Sequence, residues 1–149
     1  MLKQLCIFLI VFSVLCLGGQ KVLLAKSKIE KKEIKWYHSF EKGLKMAKKK
    51  NKPLMVDFEA KWCIWCKRLD ATTYKNPEVI ALSKKFIPVK IDCDVDKTTP
   101  NQYAVRGLPT IIFMDTDSQV IHQVVGYRGP EDFITEMKKA LASTKGDDK

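Results

Sequence analysis

Hydrophobic positions along the chain fall into two regimes. Leu5 to Leu17 is a run of 13 residues, apolar apart from Ser13 and preceded by Lys3. A short basic start followed by such a run is the pattern of a secretory signal. A membrane-spanning helix takes about 20 apolar residues. This run reaches that length only by taking in Gly18, Gly19, Gln20 and Lys21. The pattern favours a cleaved signal over residues 1–25, with a retained membrane anchor as the alternative. Gly18, Gly19 and Ala25 are small enough for cleavage, none in an A-x-A context, and Leu15 before Cys16 does not suit a lipoprotein signal.

Beyond the signal the periods shorten to those of a folded domain. Residues 26–35 read as a charged linker or short edge element. Trp36, Phe40, Leu44 and Ala47 then recur at helical spacing, with Ser39 near the start and Asn51-Lys52-Pro53 at the end. Leu54 to Glu59 predicts a buried strand, and Cys63 opens a helix through Leu69. Asn76-Pro77-Glu78 supplies a cap, a first-turn proline and an acid for a helix carrying Val79, Ile80 and Leu82. Phe86 to Ile91 is the next strand, followed by a polar loop of Asp, Lys and Thr. Ile111–Met114 and Val120–Val125, split by the turn Asp115-Thr116-Asp117-Ser118, form a hairpin, and Gly129-Pro130-Glu131 starts a last helix through Leu141. This order predicts one α/β domain over residues 36–145, a central sheet with helices on both faces.

Charge refines the picture only once it is located. Of the formal +10, residues 26–52 hold +8 through eleven lysines and three glutamates, while the chain from Pro53 onward is neutral. A solvated linker and lysine-rich helix face account for this, and the same segment is a candidate for weak contact with a membrane surface. Nucleic acid is not an expected partner, because no interleaved aromatics or finger spacing accompany the charge.

Five cysteines are present, two of them, Cys6 and Cys16, inside the signal. The remaining Cys63, Cys66 and Cys93 are an odd set, which argues against a disulfide-stapled scaffold. Cys63 and Cys66 lie at a strand-to-helix junction. There, unpaired N–H groups and the positive end of the helix dipole stabilise a thiolate on the first cysteine, the expected nucleophile. Cys66, one turn along, is placed to resolve a mixed disulfide formed at Cys63. A zinc site would need four ligands, and Cys93, His38 and His122 offer no second pair, so no metal is expected. Cys93, between Asp92 and Asp94, is expected to be a poor nucleophile because both carboxylates raise its pKa.

Val56-Asp57-Phe58 running into Trp62-Cys63, with Gly107-Leu108-Pro109-Thr110 downstream, resembles thioredoxin over residues 52–141. Lys67-Arg68-Leu69, Thr73-Tyr74 and Asn76-Pro77-Glu78-Val79 are most similar to the C-terminal domain of bacterial transmembrane thiol:disulfide interchange proteins and their small soluble relatives. The resemblance implies a thioredoxin fold with a mixed central sheet, a bacterial periplasmic location, and exchange with protein thiols and disulfides. It also implies a redox-active Cys63–Cys66 disulfide, an upstream electron donor, and no metal or organic cofactor. Pro109 would be a cis-proline facing the cysteines, where the residues alone also allow an ordinary trans proline. Leu108 and Pro109 would shape a groove for the partner's peptide, bordered by Trp62, Ile64 and Trp65. Asp57 would be the buried acid that takes the proton of Cys66, its pKa raised by burial; the other reading of Asp57 is a polar residue pointing outward. Ile64-Trp65 and Glu59 depart from thioredoxin, where Gly-Pro and an aromatic residue stand. The expected activity is protein-disulfide reduction, with an oxidase or isomerase, or a binding module with a structural disulfide, as the alternatives.

Overall fold

The computed structural model describes residues 33–144, so the signal-like run and most of the charged linker lie outside the described residues. Helix α1 covers Phe40–Lys50. Ser39, in extended backbone, caps it by accepting from Lys42 N, and Asn51 closes it in the left-handed conformation. Trp36 thus lies outside the helix, although its spacing matched the stripe. Tyr37 bridges in parallel to Val89, and this pairing draws residues 34–37 into an extended strap along the sheet. Ile34, inside the expected linker, is buried in the core.

Strand β1 (Leu54–Glu59) is central. It pairs in parallel with β2 (Ile87–Asp92) and antiparallel with β3 (Thr110–Met114), which in turn pairs antiparallel with β4 (Val120–Val125). The sheet order is β2-β1-β3-β4, a mixed four-stranded sheet with helices on both faces. Helix α2 (Ile64–Ala71) follows β1. After a short turn at Thr73–Lys75 comes α3 (Pro77–Ser83), with Asn76 accepting from Glu78 N and Val79 N. Helix α4 (Thr98–Gln102) occupies the segment expected to be a polar loop. The Asp96 carboxylate holds its first turn by accepting from Thr98 N, Thr99 N and the Thr99 hydroxyl. Helix α5 (Pro130–Ser143) ends the described chain.

Period-two alternation sorts the strand residues into two cores. Leu54, Val56 and Phe58 join Ile87, Val89 and Ile91 under α1 and its Ala47. Met55, Ile111 and Phe113 face the other side with Leu69, Val79, Phe133 and Met137. Asp57 shares the face of Met55, and the β1–β2 register sets Asp57 beside Lys90.

Helix α1 lies so close to β2 that a Cβ on Gly43 would stand 2.3 Å from Val89 Cγ2. Gly43→Ala is therefore expected to destabilise the domain by about 1–2 kcal/mol in urea unfolding, because overpacking exceeds the roughly 1 kcal/mol gained in helix propensity. Adding Val89→Ala should make the Gly43→Ala step neutral or favourable. A Gly43→Ala penalty of the same size in both backgrounds would show that the contact is not the cause.

Candidate functional site

Helix α2 begins where the sheet ends, and Cys63 is its N-cap. Cys63 and Cys66 form a disulfide with a Cα–Cα separation of 5.3 Å. Cys63 Sγ accepts the Cys66 N–H at 3.1 Å, so the first sulfur sits on a backbone donor of the helix start. Both cysteines are buried, at 4% and 3% exposure, and pack with Ala60 and Leu108. The Leu108–Pro109 peptide bond is cis, and Pro109 O accepts from Gly126 N at 2.8 Å. Around the covered sulfurs stand exposed apolar side chains: Trp62 and Ile64 at 70% and Trp65 at 49%.

Trp65 is held from the side. The Arg68 guanidinium lies 5.5 Å from its ring centre and 5.1 Å from that of Tyr127, and the two rings are 5.8 Å apart. The Tyr127 hydroxyl pairs with that of Thr72. Tyr127 was not singled out from the sequence, and Arg68 was named only within Lys67-Arg68-Leu69, without a role. Arg68 stands three residues after Trp65, a spacing that brings side chains together on a helix, but Tyr127 reaches the site only through the fold.

Asp57 points inward, at 1% exposure. Its Oδ2 lies 3.4 Å from Lys90 Nζ, and Lys90 also forms an ion pair with Asp70. Asp70 follows Cys66 by four residues on α2, so the same helix face carries the thiol and the carboxylate. Asp57 Oδ1 and the Tyr74 hydroxyl are both buried and make no hydrogen bond of normal geometry. Burial pushes the Asp57 pKa up; Lys90 pulls it back, Asp70 and Glu59 push it further, Tyr74 stands close enough to lower it as a hydrogen-bonding neighbour, and it comes to about 7. Burial pulls the Lys90 ammonium down, but Asp57 and Asp70 outweigh this and raise it above its ordinary value. Lys90 and Asp70 escaped the sequence reading, and Tyr74 entered it only within Thr73-Tyr74, without a role. The signal for Lys90 was a basic residue flanked by Val89 and Ile91 in the strand Ile87–Asp92, which acquires meaning only with the register.

Cys93 is half-buried, with its thiol pushed up to about 11, by burial first and by Asp92 second. The flanking carboxylates are thus the lesser cause. A cleft of about 580 Å³ opens beside the site, lined by His38, Phe40, Glu59, Lys90, Asp92 and Asp96 among others; the cysteines do not line it. Among the described residues no three His, Cys, Asp or Glu side chains gather to hold a metal ion, and no helix is long and apolar enough to cross a membrane.

The thioredoxin-like domain family matches residues 40–141. The thiol:disulfide interchange protein DsbD of Vibrio vulnificus (strain CMCP6) is 29% identical over 115 residues, covering 72% of this chain and 19% of the relative. The protein of the same name from Pseudoalteromonas atlantica is 30% identical with the same coverage. The chain therefore spans 19% of the length of these two relatives. Among solved structures, the oxidised DsbD C-terminal domain of Neisseria meningitidis superposes with a TM-score of 0.63 at 23% identity, over 71% of this chain and 99% of that one. A thioredoxin from Thermus thermophilus gives 0.67 at 21%, over 77% and 91%. Both share the fold.

The buried carboxyl makes stability depend on pH. Asp57 is raised from 3.8 to about 7 in the folded state, so between these values the folded protein keeps a proton that the unfolded chain has released, and stability falls as pH rises through the window. An amide carries no such dependence. Asp57→Asn should gain stability over the wild type from about pH 4 to pH 7 and hold that gain above, by about 4 kcal/mol at most. Urea unfolding of the oxidised protein across this range measures it; a difference that does not vary with pH would show that Asp57 titrates normally.

Proposed function

Because the chain belongs to the thioredoxin-like domain family, we propose that it is an exported thiol-disulfide oxidoreductase working as a protein-disulfide reductase. The observation that carries this reading is the Cys63–Cys66 disulfide at the N-terminus of α2, packed against Leu108 of the cis Leu108–Pro109 step and ringed by exposed apolar side chains.

In the reduced protein Cys63, held as a thiolate by the helix terminus, attacks one sulfur of a partner disulfide. A mixed disulfide forms and the partner's other sulfur leaves as a thiolate, taking a proton from solvent. Cys66 then loses its proton to the Asp57 carboxylate and attacks Cys63 Sγ. The mixed disulfide breaks, the Cys63–Cys66 disulfide forms, and the partner departs with two electrons. At neutral pH a carboxyl of pKa about 7 is part ionised and able to accept. Lys90, fixed between Asp57 and Asp70, steadies the charge before and after the transfer. An upstream protein dithiol returns the electrons, and no metal or organic cofactor enters. Trp62, Ile64, Trp65 and Leu108 form the apolar border of the groove that takes the partner's extended segment.

The outward direction of the electrons rests on the surroundings of Cys63. Strong oxidants on this fold stabilise the reduced thiolate heavily. Here Ile64 and Trp65 stand between the cysteines, and among the described residues no side-chain donor reaches Cys63 Sγ. Export to the bacterial periplasm rests on the signal-like N-terminus, and a retained anchor is its alternative. The exposed Lys42, Lys45 and Lys49 of α1 support weak contact with an anionic membrane surface.

Three measurements test the reading. Alkylation of the reduced protein at mildly acidic pH should modify Cys63 far faster than Cys66 or Cys93; equal rates would undo the assignment. Insulin reduction with dithiothreitol should turn over, whereas an inert protein would mark a binding module. Equilibration with glutathione buffers should give a potential nearer about −270 mV than about −120 mV; a value above about −180 mV would move the protein among isomerases and oxidants.

A further inference from the structure

The strap before α1 lies outside the residues matched by the family, yet it packs on Lys90, the ion-pair partner of Asp57. Ile34 enters the core. Tyr37 N donates to Pro88 O at 2.9 Å, and Lys90 N donates to Tyr37 O at 2.8 Å. Between these anchors, the half-buried Trp36 sets its ring centre 4.9 Å from Lys90 Nζ and 5.0 Å from the Tyr74 ring, edge to face. Tyr74 lies on the ammonium as well, at 5.2 Å. Lys90 is thus held by two carboxylates and two aromatic rings.

We propose that Trp36 is a positioning residue for proton transfer, its indole roofing the Asp57–Lys90 pair and keeping bulk water from the carboxyl that receives the Cys66 proton. The role rests on the reductase reading for its chemistry, but the roof itself does not. A cation over an indole face is attracted to the ring, and here that contact covers the Lys90 ammonium, the ion-pair partner of Asp57. Lys90 from β2, Asp70 from α2, Glu59 from β1 and Tyr74 from the turn after α2 all bear on Asp57. His38, beside the strap, bears on Glu59, and Cys93 feels Asp57 in turn. Burial is the largest influence on Asp57, so removing the roof should lower the pH at which it titrates.

The decisive readout is the titration of the Asp57 carboxyl carbon by NMR in the oxidised protein, which needs no turnover. Trp36→Ala should move the inflection down by about one pH unit or more, and Trp36→Phe, which restores a ring, should bring it back toward the wild type. An unmoved or raised inflection in Trp36→Ala overturns the proposal. Where Trp36→Ala does not fold, Trp36→Thr suits the extended strap and carries the same expectation and the same overturning result. The wild type gives a check without any variant: the Lys90 amide, bonded to the strap, should exchange with solvent only on global unfolding, and exchange by local opening overturns a closed roof. In insulin reduction the pH profile of kcat should shift with the carboxyl. A carboxyl shift without a shift in the profile overturns the positioning role. Absent turnover with the carboxyl shift intact sinks the reductase reading and leaves the roof standing.

Discussion

A lysine in the interior is the constraint around which the site is arranged. Lys90 lies on the sheet face that β1 and β2 turn toward α2, and an ammonium there is tolerated only if opposite charge and polarisable surface surround it. Asp57 is its register neighbour across the sheet, Asp70 reaches it from α2, and the rings of Trp36 and Tyr74 cover the rest. Strand register, the seat of α2 and the path of the strap are all tied to this one cation. With Glu59 at its border, the cluster holds three carboxyls against one ammonium. In a poorly hydrated place they do not all ionise readily, and Asp57, the most buried, is the one whose proton persists to about pH 7.

The same arrangement couples charge to sulfur through one short helix. Cys63 caps the N-terminus of α2, Cys66 lies in its first turn and Asp70 one turn further. The N-terminal end of the helix therefore favours negative charge on the first sulfur, while the four-residue spacing sets the second sulfur on the same helix face as the Asp70 carboxylate. On the proposed reading the two cysteines differ in chemistry because the helix presents them to different surroundings, though both are nearly covered in the disulfide state.

Much of this was legible in the sequence wherever one strand or one helix decided the matter. The strand pattern Leu54–Glu59, the Asn76-Pro77 cap and the Cys63–Cys66 spacing each announce local structure, and the resemblance to thioredoxin implied the inward direction of Asp57. Trp36 misled because its spacing fits a helix, whereas Ser39 starts the helix later and Tyr37 is drawn into pairing with β2. Helix α4 was missed because Thr98–Gln102 is too short to show a period and is organised by the Asp96 carboxylate. Lys90, Asp70 and Tyr74 join Asp57 only through tertiary register, which no single segment encodes.

Apolar surface stands around sulfur that is itself hardly exposed. Trp62 and Ile64 stand 70% exposed, and the half-exposed Trp65 is stiffened by Arg68 and Tyr127. Large apolar side chains left in water are tolerated at a modest cost and become favourable when a partner covers them, at about 25 cal/mol per Å² buried. A small thiol gains little from such a rim, because it reaches the sulfur without covering the surface. A protein segment gains the rim and the sulfur together. In the proposed mechanism it would also exclude water from the place where the proton of Cys66 leaves, so partner recognition and the dryness of the Asp57 cluster would act in the same direction.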